Sequence, residues 1–368
     1  MSNSDEEILQ VLNLFRHGKR NTFENIDTDE FLPTDLTEDG LADITNKGKH
    51  FADRFFKCFP TSPFNDDDFK CYISDTPRTI KTIIYRFADL VPQEDFKAMN
   101  QNELKGFTQR NFHNVVYDDK IFNSYIYSND ISMKYFKTDP DYKKLCRELE
   151  TEIGQKSEAA LKRYKGYFNL ESDMMMDMEN YKLIVIHDFL FNATPEIEKT
   201  FTEEHKIIKE AMKKFNANKR MIDINISNRN VLLCSIYQLI RYFYEEMKKV
   251  KENDPDKKKI VLFSAHDLYL AGLVKFLGVN KTTYMYDFND EINFIIFKKN
   301  GSDKLYVRFE YNDELMEVPF STMKDKKECE LDTLLNRIQR EYLRFNFQQI
   351  MDFCERRTTT EFYPANLK

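Results

Sequence analysis

The chain has 368 residues, 41% of them hydrophobic, and a formal charge of −7. That length suits one large domain or two smaller ones with a sizeable core. The charge pattern argues against a nucleic-acid partner: the short basic runs MKKVKEN and DKKKI are flanked by acids and read as a solvated helix face and a loop. No stretch approaches the roughly 18 to 20 apolar residues that span a bilayer, so no transmembrane segment is expected. The start, MSNSDEEILQ, is acidic and lacks the basic and apolar regions of a signal peptide. A cytoplasmic location is therefore expected, with a lysosomal or secreted one as the alternative if a different N-terminus precedes this one.

In chain order, EILQVLNLF reads as a strand entering a core, and the polar loop RHGKR follows it. LADITNKGKHFADRFFKCF carries Leu41, Ile44, Phe51, Phe55 and Phe56 near helical spacing. FKCYIS (69–74) is a second short strand. DTPRTIKTIIYRFADLV then opens a helix, with Asp75 or Thr76 as cap and Pro77 in the first turn. Strand, loop, helix repeated twice argues for a parallel α/β sheet. The middle is rich in charge and aromatics and has few strand patterns, so it reads as an inserted, mainly helical region. VLLCSIYQLIRYFYEEMKKV is an amphipathic helix, and KKKIVLFSAHD is a continuous apolar strand ending in His266-Asp267, with LYLAGLVKFLG helical behind it. INFIIFKKNGSDKLYVRFEYN reads as a hairpin with a Gly-containing turn, and CELDTLLNRIQREY as a helix. The resulting boundaries are 1–95 and 231–368 for an α/β core, with 96–230 as a helical cap.

In open α/β sheets ligands sit beyond the carboxyl ends of the strands. Three strand ends here carry polar residues: Arg16, His17, Gly18 and Arg20 after the first; Asp75 and Arg78 after the second; His266 and Asp267 after the later one. If those strands are parallel, the three loops meet at one edge. Three arginines suit bidentate binding of oxyanions, two histidines add donors, and Gly18 permits close backbone approach. That is a pocket for a compact dianion such as phosphate. A neutral imidazole within it can attack phosphorus. The Asp267 carboxylate would repel a phosphate, and makes sense as a proton donor to the leaving oxygen.

RHGKR resembles the Arg-His-Gly-x-Arg signature of the histidine acid phosphatases, the acid branch of the histidine phosphatase superfamily. FSAHDLYLAGLVKFLG resembles that family's His-Asp signature, LADITNKGKHFADRFFKCF its Leu-Thr-x-x-Gly segment, YISDTPRTIKT its second arginine segment, and the hairpin with CELDTLL its C-terminal end. The resemblance covers both ends of the chain and leaves the middle unmatched in detail. It implies a mixed sheet flanked by helices with an inserted helical cap, a phosphohistidine formed on His17, a phosphoryl group bound by Arg16, Arg20, Arg78 and His266, and Asp267 as the proton donor. The substrate is then a small phosphate monoester (a phospholipid, an inositol phosphate or a phosphoprotein), with no metal or cofactor. Three arginines favour the Asp267 anion, so an acidic optimum is expected. Thr22 stands where the family usually has Pro, and Leu268-Tyr269 where it usually has Thr, which bears on substrate preference and loop rigidity.

Two alternatives stand beside this reading: a catalytically silent phosphate-binding or interaction protein, and a phosphoglycerate-mutase-like phosphotransferase, against which the His266-Asp267 pair speaks. VIHDFLFNA repeats the His-Asp pattern at His187 and Asp188 without the helix that should follow, and reads as structural in the first place and substrate-facing in the second. Lys19 reads as a solvated loop residue, and His50, His113 and His205 as surface or helix histidines. The six cysteines form no C-x-x-C pair and show no zinc spacing with His, so buried thiols are expected.

Overall fold

The computed structural model describes residues 6–22, 24–25, 30–31, 35–59, 68–92, 94–96, 98–112, 114–117, 140–168, 186, 188–225, 229–279, 287–324, 326–344, 346 and 349. The chain divides into two compact units, one comprising residues 1–19, 38–124 and 232–368, the other residues 20–37 and 125–231.

The first unit is built on one mixed sheet. Its strands are β1 (Glu6–Arg16), β4 (Phe69–Ile73), β5 (Val115–Tyr117), β6 (Ile260–Ala265), β7 (Glu291–Lys299), β8 (Leu305–Tyr311), β9 (Glu314–Leu315) and β10 (Glu328–Glu330); β2 (Glu24–Asn25) and β3 (Glu30–Phe31) form a separate pair in the other unit. The order across the sheet is β10-β8-β7-β1-β6-β4-β5, with β9 on β8. The β1–β6, β6–β4 and β4–β5 pairs are parallel, and the strands beyond β1 on the other side are antiparallel. This is the largely parallel central sheet expected from the alternation of strands and helices. The hairpin accounts for the antiparallel half.

Alternation along β1 supplies both layers of the core. Leu12 and Leu14 face α8 (Arg229–Lys251), α9 (Asp267–Phe276) and α10 (Leu331–Glu341), with Ile236, Phe243, Leu273 and Leu334 in the same apolar cluster. Val11 and Phe15 face α1 (Glu38–Phe55), α2 (Pro77–Arg86) and α3 (Gln101–Asn111), packing with Phe51, Ile80, Ile84 and Phe107. A strand covered on both sides has no polar face, which is why IVLFSA reads as an unbroken apolar run.

Register decides where the loops emerge. Arg16 is level with Ala265, and Ile73 with Ser264. The carboxyl ends of β1, β4 and β6 are therefore flush at one edge of the sheet. Between β1 and β4 the chain crosses over through α1 and leaves the slot that β6 later fills.

The second unit is helical. Its elements α4 (Pro140–Lys156), α5 (Glu158–Tyr167), α6 (Pro195–Glu198) and α7 (Glu203–Asn225) contribute Leu149, Ile153, Tyr164, Ile208 and Met212 to one apolar cluster, with Phe189 and Leu190. His205 is a helix histidine, in the first turn of α7, and is buried there. Thr202 N donates to its Nδ1, and its Nε2 lies 2.6 Å from the Tyr167 hydroxyl.

The two compact units divide the chain at other points than the boundaries read from the sequence. Residues 96–124 belong with the sheet, because β5 pairs in parallel with β4 and α3 packs Leu104 and Phe107 against it. Residues 20–37 belong with the helices. Among the described residues no helix is long and apolar enough to cross a membrane.

Candidate active site

Arg16 ends β1, its N–H donating to Asp290 O at 2.9 Å. His17 follows, 3% exposed, with its N–H on Ala265 O at 3.0 Å. The ladder to β6 thus runs one residue past the strand and fixes the histidine at the sheet edge. The His17 ring lies 2.9 Å through Nδ1 from Gly18 O. A carbonyl only accepts, so Nδ1 carries the proton and Nε2 of the neutral ring holds the lone pair. Burial lowers the His17 pKa well below 6.5, and the positive charges of His266, Arg16 and Arg78 lower it further, against a smaller opposing effect of the Gly18 bond. The imidazole is therefore neutral well into acid.

Gly18 N donates to Thr82 Oγ1 at 3.1 Å, and Thr82 Oγ1 donates to Arg78 O at 2.7 Å. One hydroxyl on α2 ties the loop after β1 to the turn that carries Arg78. A side chain at Gly18 would meet Ile44 Cδ1 at 2.3 Å, so the glycine lets α1 close over the loop.

Arg78 is the second residue of α2, after Thr76 as cap and Pro77 at the first helical position. Asp75, just before, accepts from Gln101 Nε2 at 2.6 Å and pairs with Lys105 Nζ at 2.5 Å, so α3 holds the start of this turn. His266 follows β6; its Nε2 lies 3.0 Å from Ser74 Oγ, and its ring 5.3 Å from that of His17 in an edge-on arrangement. Asp267 opens α9 with its side chain 40% exposed, its Oδ2 3.5 Å from Arg16 Nη2.

Arg16, His17, Arg78, His266 and Asp267 therefore all belong to the sheet unit, at the ends of β1, β4 and β6. Arg20 belongs to the helical unit. Its Nη1 pairs with Asp188 Oδ1 at 2.6 Å and donates to Asn21 O at 2.9 Å, both side chains being buried. Asp188 also accepts from Asn192 Nδ2 at 3.0 Å. Asp188 is thus a buried structural partner; His187 and His113 lie outside the described residues.

Four neighbours of the site escaped the sequence reading: Ser74, Thr82, Phe288 and Asn289. Arg16 Cζ stands 4.1 Å over the Phe288 ring, and the His17 ring is 5.6 Å from it. Asn289 adopts φ 61° and its N–H reaches His17 O at 3.4 Å. Only the adjoining hairpin signal pointed to this region. Among the described residues no group of three or more His, Cys, Asp or Glu side chains is placed to hold a metal ion.

No family model matches the chain, and no curated protein matches it. Solved structures do. The multiple inositol polyphosphate phosphatase of Bifidobacterium longum, in complex with inositol hexasulfate, is similar at 10% identity and a TM-score of 0.60, over 92% of this chain and 93% of that one. The Hafnia alvei phytase is similar at 14% identity and a TM-score of 0.54, over 92% and 98%. The phytase of D. castellii is similar at 14% identity and a TM-score of 0.53, over 99% and 88%. The likeness is one of fold: this chain shares their α/β architecture, a mixed sheet flanked by helices with a helical domain.

Proposed function

We propose that the chain is a phosphoric monoester hydrolase of the histidine acid phosphatase type, acting through a phosphohistidine on His17. The observation that carries this reading is the placement of His17: its Nδ1 faces Gly18 O at 2.9 Å, which leaves Nε2 as the nucleophile, its ring lies 5.3 Å from that of His266, and burial together with Arg16 and Arg78 disfavours the protonated form. The shared fold with phytases and an inositol polyphosphate phosphatase supports it.

In the first step Nε2 attacks phosphorus. The N–P bond forms, the ester P–O bond breaks, and the leaving oxygen takes the proton of Asp267. In the second step water attacks the phosphohistidine and gives a proton back to the Asp267 carboxylate. The N–P bond breaks, and orthophosphate leaves. Arg16, Arg78 and His266 bind the phosphoryl oxygens, while Arg20 is held by Asp188 in the helical unit, and no metal takes part. Inositol phosphates come first among the substrates to screen, ahead of phospholipids and phosphoproteins; the inositol hexasulfate bound by the Bifidobacterium longum enzyme, similar in fold, supports that order.

The test is hydrolysis of p-nitrophenyl phosphate and of an alkyl phosphate with EDTA present, over about pH 4 to 8. Activity should survive EDTA, peak in acid and vanish in His17→Ala. Asp267→Asn should cost roughly 10²–10⁴-fold on the alkyl ester and much less on the nitrophenyl ester, whose leaving group needs little protonation. Folded wild type that binds orthophosphate but hydrolyses neither ester would make this a phosphate-binding protein. A rate that is flat from acid to neutral pH would remove Asp267 from the role of acid.

A further inference from the structure

We propose that Phe288 is a positioning residue of this site, its ring holding the Arg16 guanidinium face-on and walling the His17 imidazole from water. The inference rests on the reading of His17 as nucleophile and assigns a residue that no signature in the chain indicates.

The ring is placed by a turn with little freedom. Asp287 N donates to Asp290 Oδ2 at 2.6 Å, Phe288 N to Asp287 Oδ1 at 2.7 Å, and Asp290 N to Asp287 O at 3.2 Å. The Asp290 carboxylate also accepts from the Tyr311 hydroxyl at 2.5 Å and Asn312 Nδ2 at 2.6 Å, which ties the turn to the end of β8. Asn289 Nδ2 reaches Asp43 Oδ2 at 2.5 Å, tying it to α1. The same turn accepts Arg16 N on Asp290 O and gives Asn289 N to His17 O. Phe288 is therefore fastened to the backbone of the two residues its ring touches.

The face contact has a use that an aliphatic side chain lacks. A guanidinium over a ring gains the cation–π attraction, and its N–H donors lie in its own plane, so the contact occupies none of them. Asp267 stands 3.5 Å from Arg16 Nη2. An arginine drawn fully onto that carboxylate would give up the donors a phosphoryl group needs, and Phe288 holds the plane against that pull. For His17 the ring supplies apolar cover. The charged or titratable groups around His17 are Arg16 from β1, Arg78 from α2 and His266 from the β6–α9 junction, with Asp267 joined to Arg16. All three disfavour a proton on His17, and its exclusion from water acts in the same direction.

The experiment compares wild type with Phe288→Leu, which keeps apolar bulk and loses the π face, and Phe288→Tyr, which keeps the ring. The readouts are kcat and KM for p-nitrophenyl phosphate across the acid limb, the orthophosphate Kd, and the NMR titration of the His17 imidazole. Phe288→Leu should lower kcat/KM roughly tenfold and weaken orthophosphate binding; Phe288→Ser, which removes the apolar cover as well, should also move the acid limb and the His17 titration to higher pH; Phe288→Tyr should restore all of them. A Phe288→Leu protein within about twofold of wild type in these readouts, or one whose only change is a lower melting temperature, overturns the proposal. Activity persisting in His17→Ala would overturn the phosphohistidine reading instead. The orthophosphate and NMR readouts would still decide on Phe288.

Discussion

At the scale of single residues the site depends on protonation and placement. The buried His17 resists a proton that the unfolded chain accepts near pH 6.5. As pH falls below 6.5 the unfolded state takes up that proton while the native state does not, so stability drops through the window between 6.5 and the lower native value. His17→Gln should flatten that part of the profile while leaving stability above it unchanged in slope; urea unfolding from about pH 7.5 to 4.5 reads it out. Parallel slopes for the two proteins would mean that His17 titrates normally. Thr82 is a second case. Thr82→Val keeps the shape and removes the acceptor for Gly18 N, which would leave a buried N–H without that bond at a cost of about 1–3 kcal/mol. Two buried thiols are chemically quiet: burial pushes Cys71 up, and Cys329 up to about 12.

At the scale of elements, α2 is the organiser. Arg78, Thr82 and Arg86 fall four residues apart and share one stripe. Arg78 acts on His17, Thr82 holds Gly18, and Arg86 pairs with Glu291 at the start of β7. The Arg86–Glu291 pair is almost fully buried. Asn13 Nδ2 donates to Glu291 at 3.1 Å and to Asn293 Oδ1 at 2.7 Å, and the Arg86 guanidinium lies 4.4 Å over the Phe15 ring. Removing one partner strands the other charge, so Arg86→Met should destabilise by about 3–5 kcal/mol, while Arg86→Met with Glu291→Leu should recover much of it. Denaturant titration of the single and double variants checks this. A double variant no better than the single would show that the network matters more than the pair. The start of α2 was legible from Thr76-Pro77, because Pro fits the first helical turn. Its function as a brace was not, because hydrogen bonds to Gly18 and Glu291 join residues far apart in the chain.

At the scale of the whole molecule the two units have separate cores. The sheet unit buries apolar layers on both faces of β1; the helical unit builds its own cluster around Leu149, Ile153 and Met212. Within the helical unit the Arg20–Asp188 pair is buried and bonded further by Asn192. Asp188→Ala should therefore loosen that unit by about 3–5 kcal/mol, seen as faster amide exchange in residues 140–215 with little change in β1, β4 and β6. Uniform loosening of both units would place the effect elsewhere.

What the sequence determined by itself was the set of strong local patterns. Apolar runs that need burial on both faces gave β1 and β6. Helical spacing gave α1 and α8, and the polar residues after strand ends supplied Arg16, His17, Arg78, His266 and Asp267. Only the tertiary structure decided the rest. The three-residue β5 has too few side chains to make a pattern and exists because its backbone pairs with β4, which moved residues 96–124 into the sheet unit. Residues 20–37 carry no composition boundary, yet Arg20 pairs with Asp188, far along the chain. The tautomer of His17, the brace at Thr82 and the ring of Phe288 each depend on atoms brought together by register and packing. Such contacts are properties of the folded arrangement, and no window of sequence contains both of their ends.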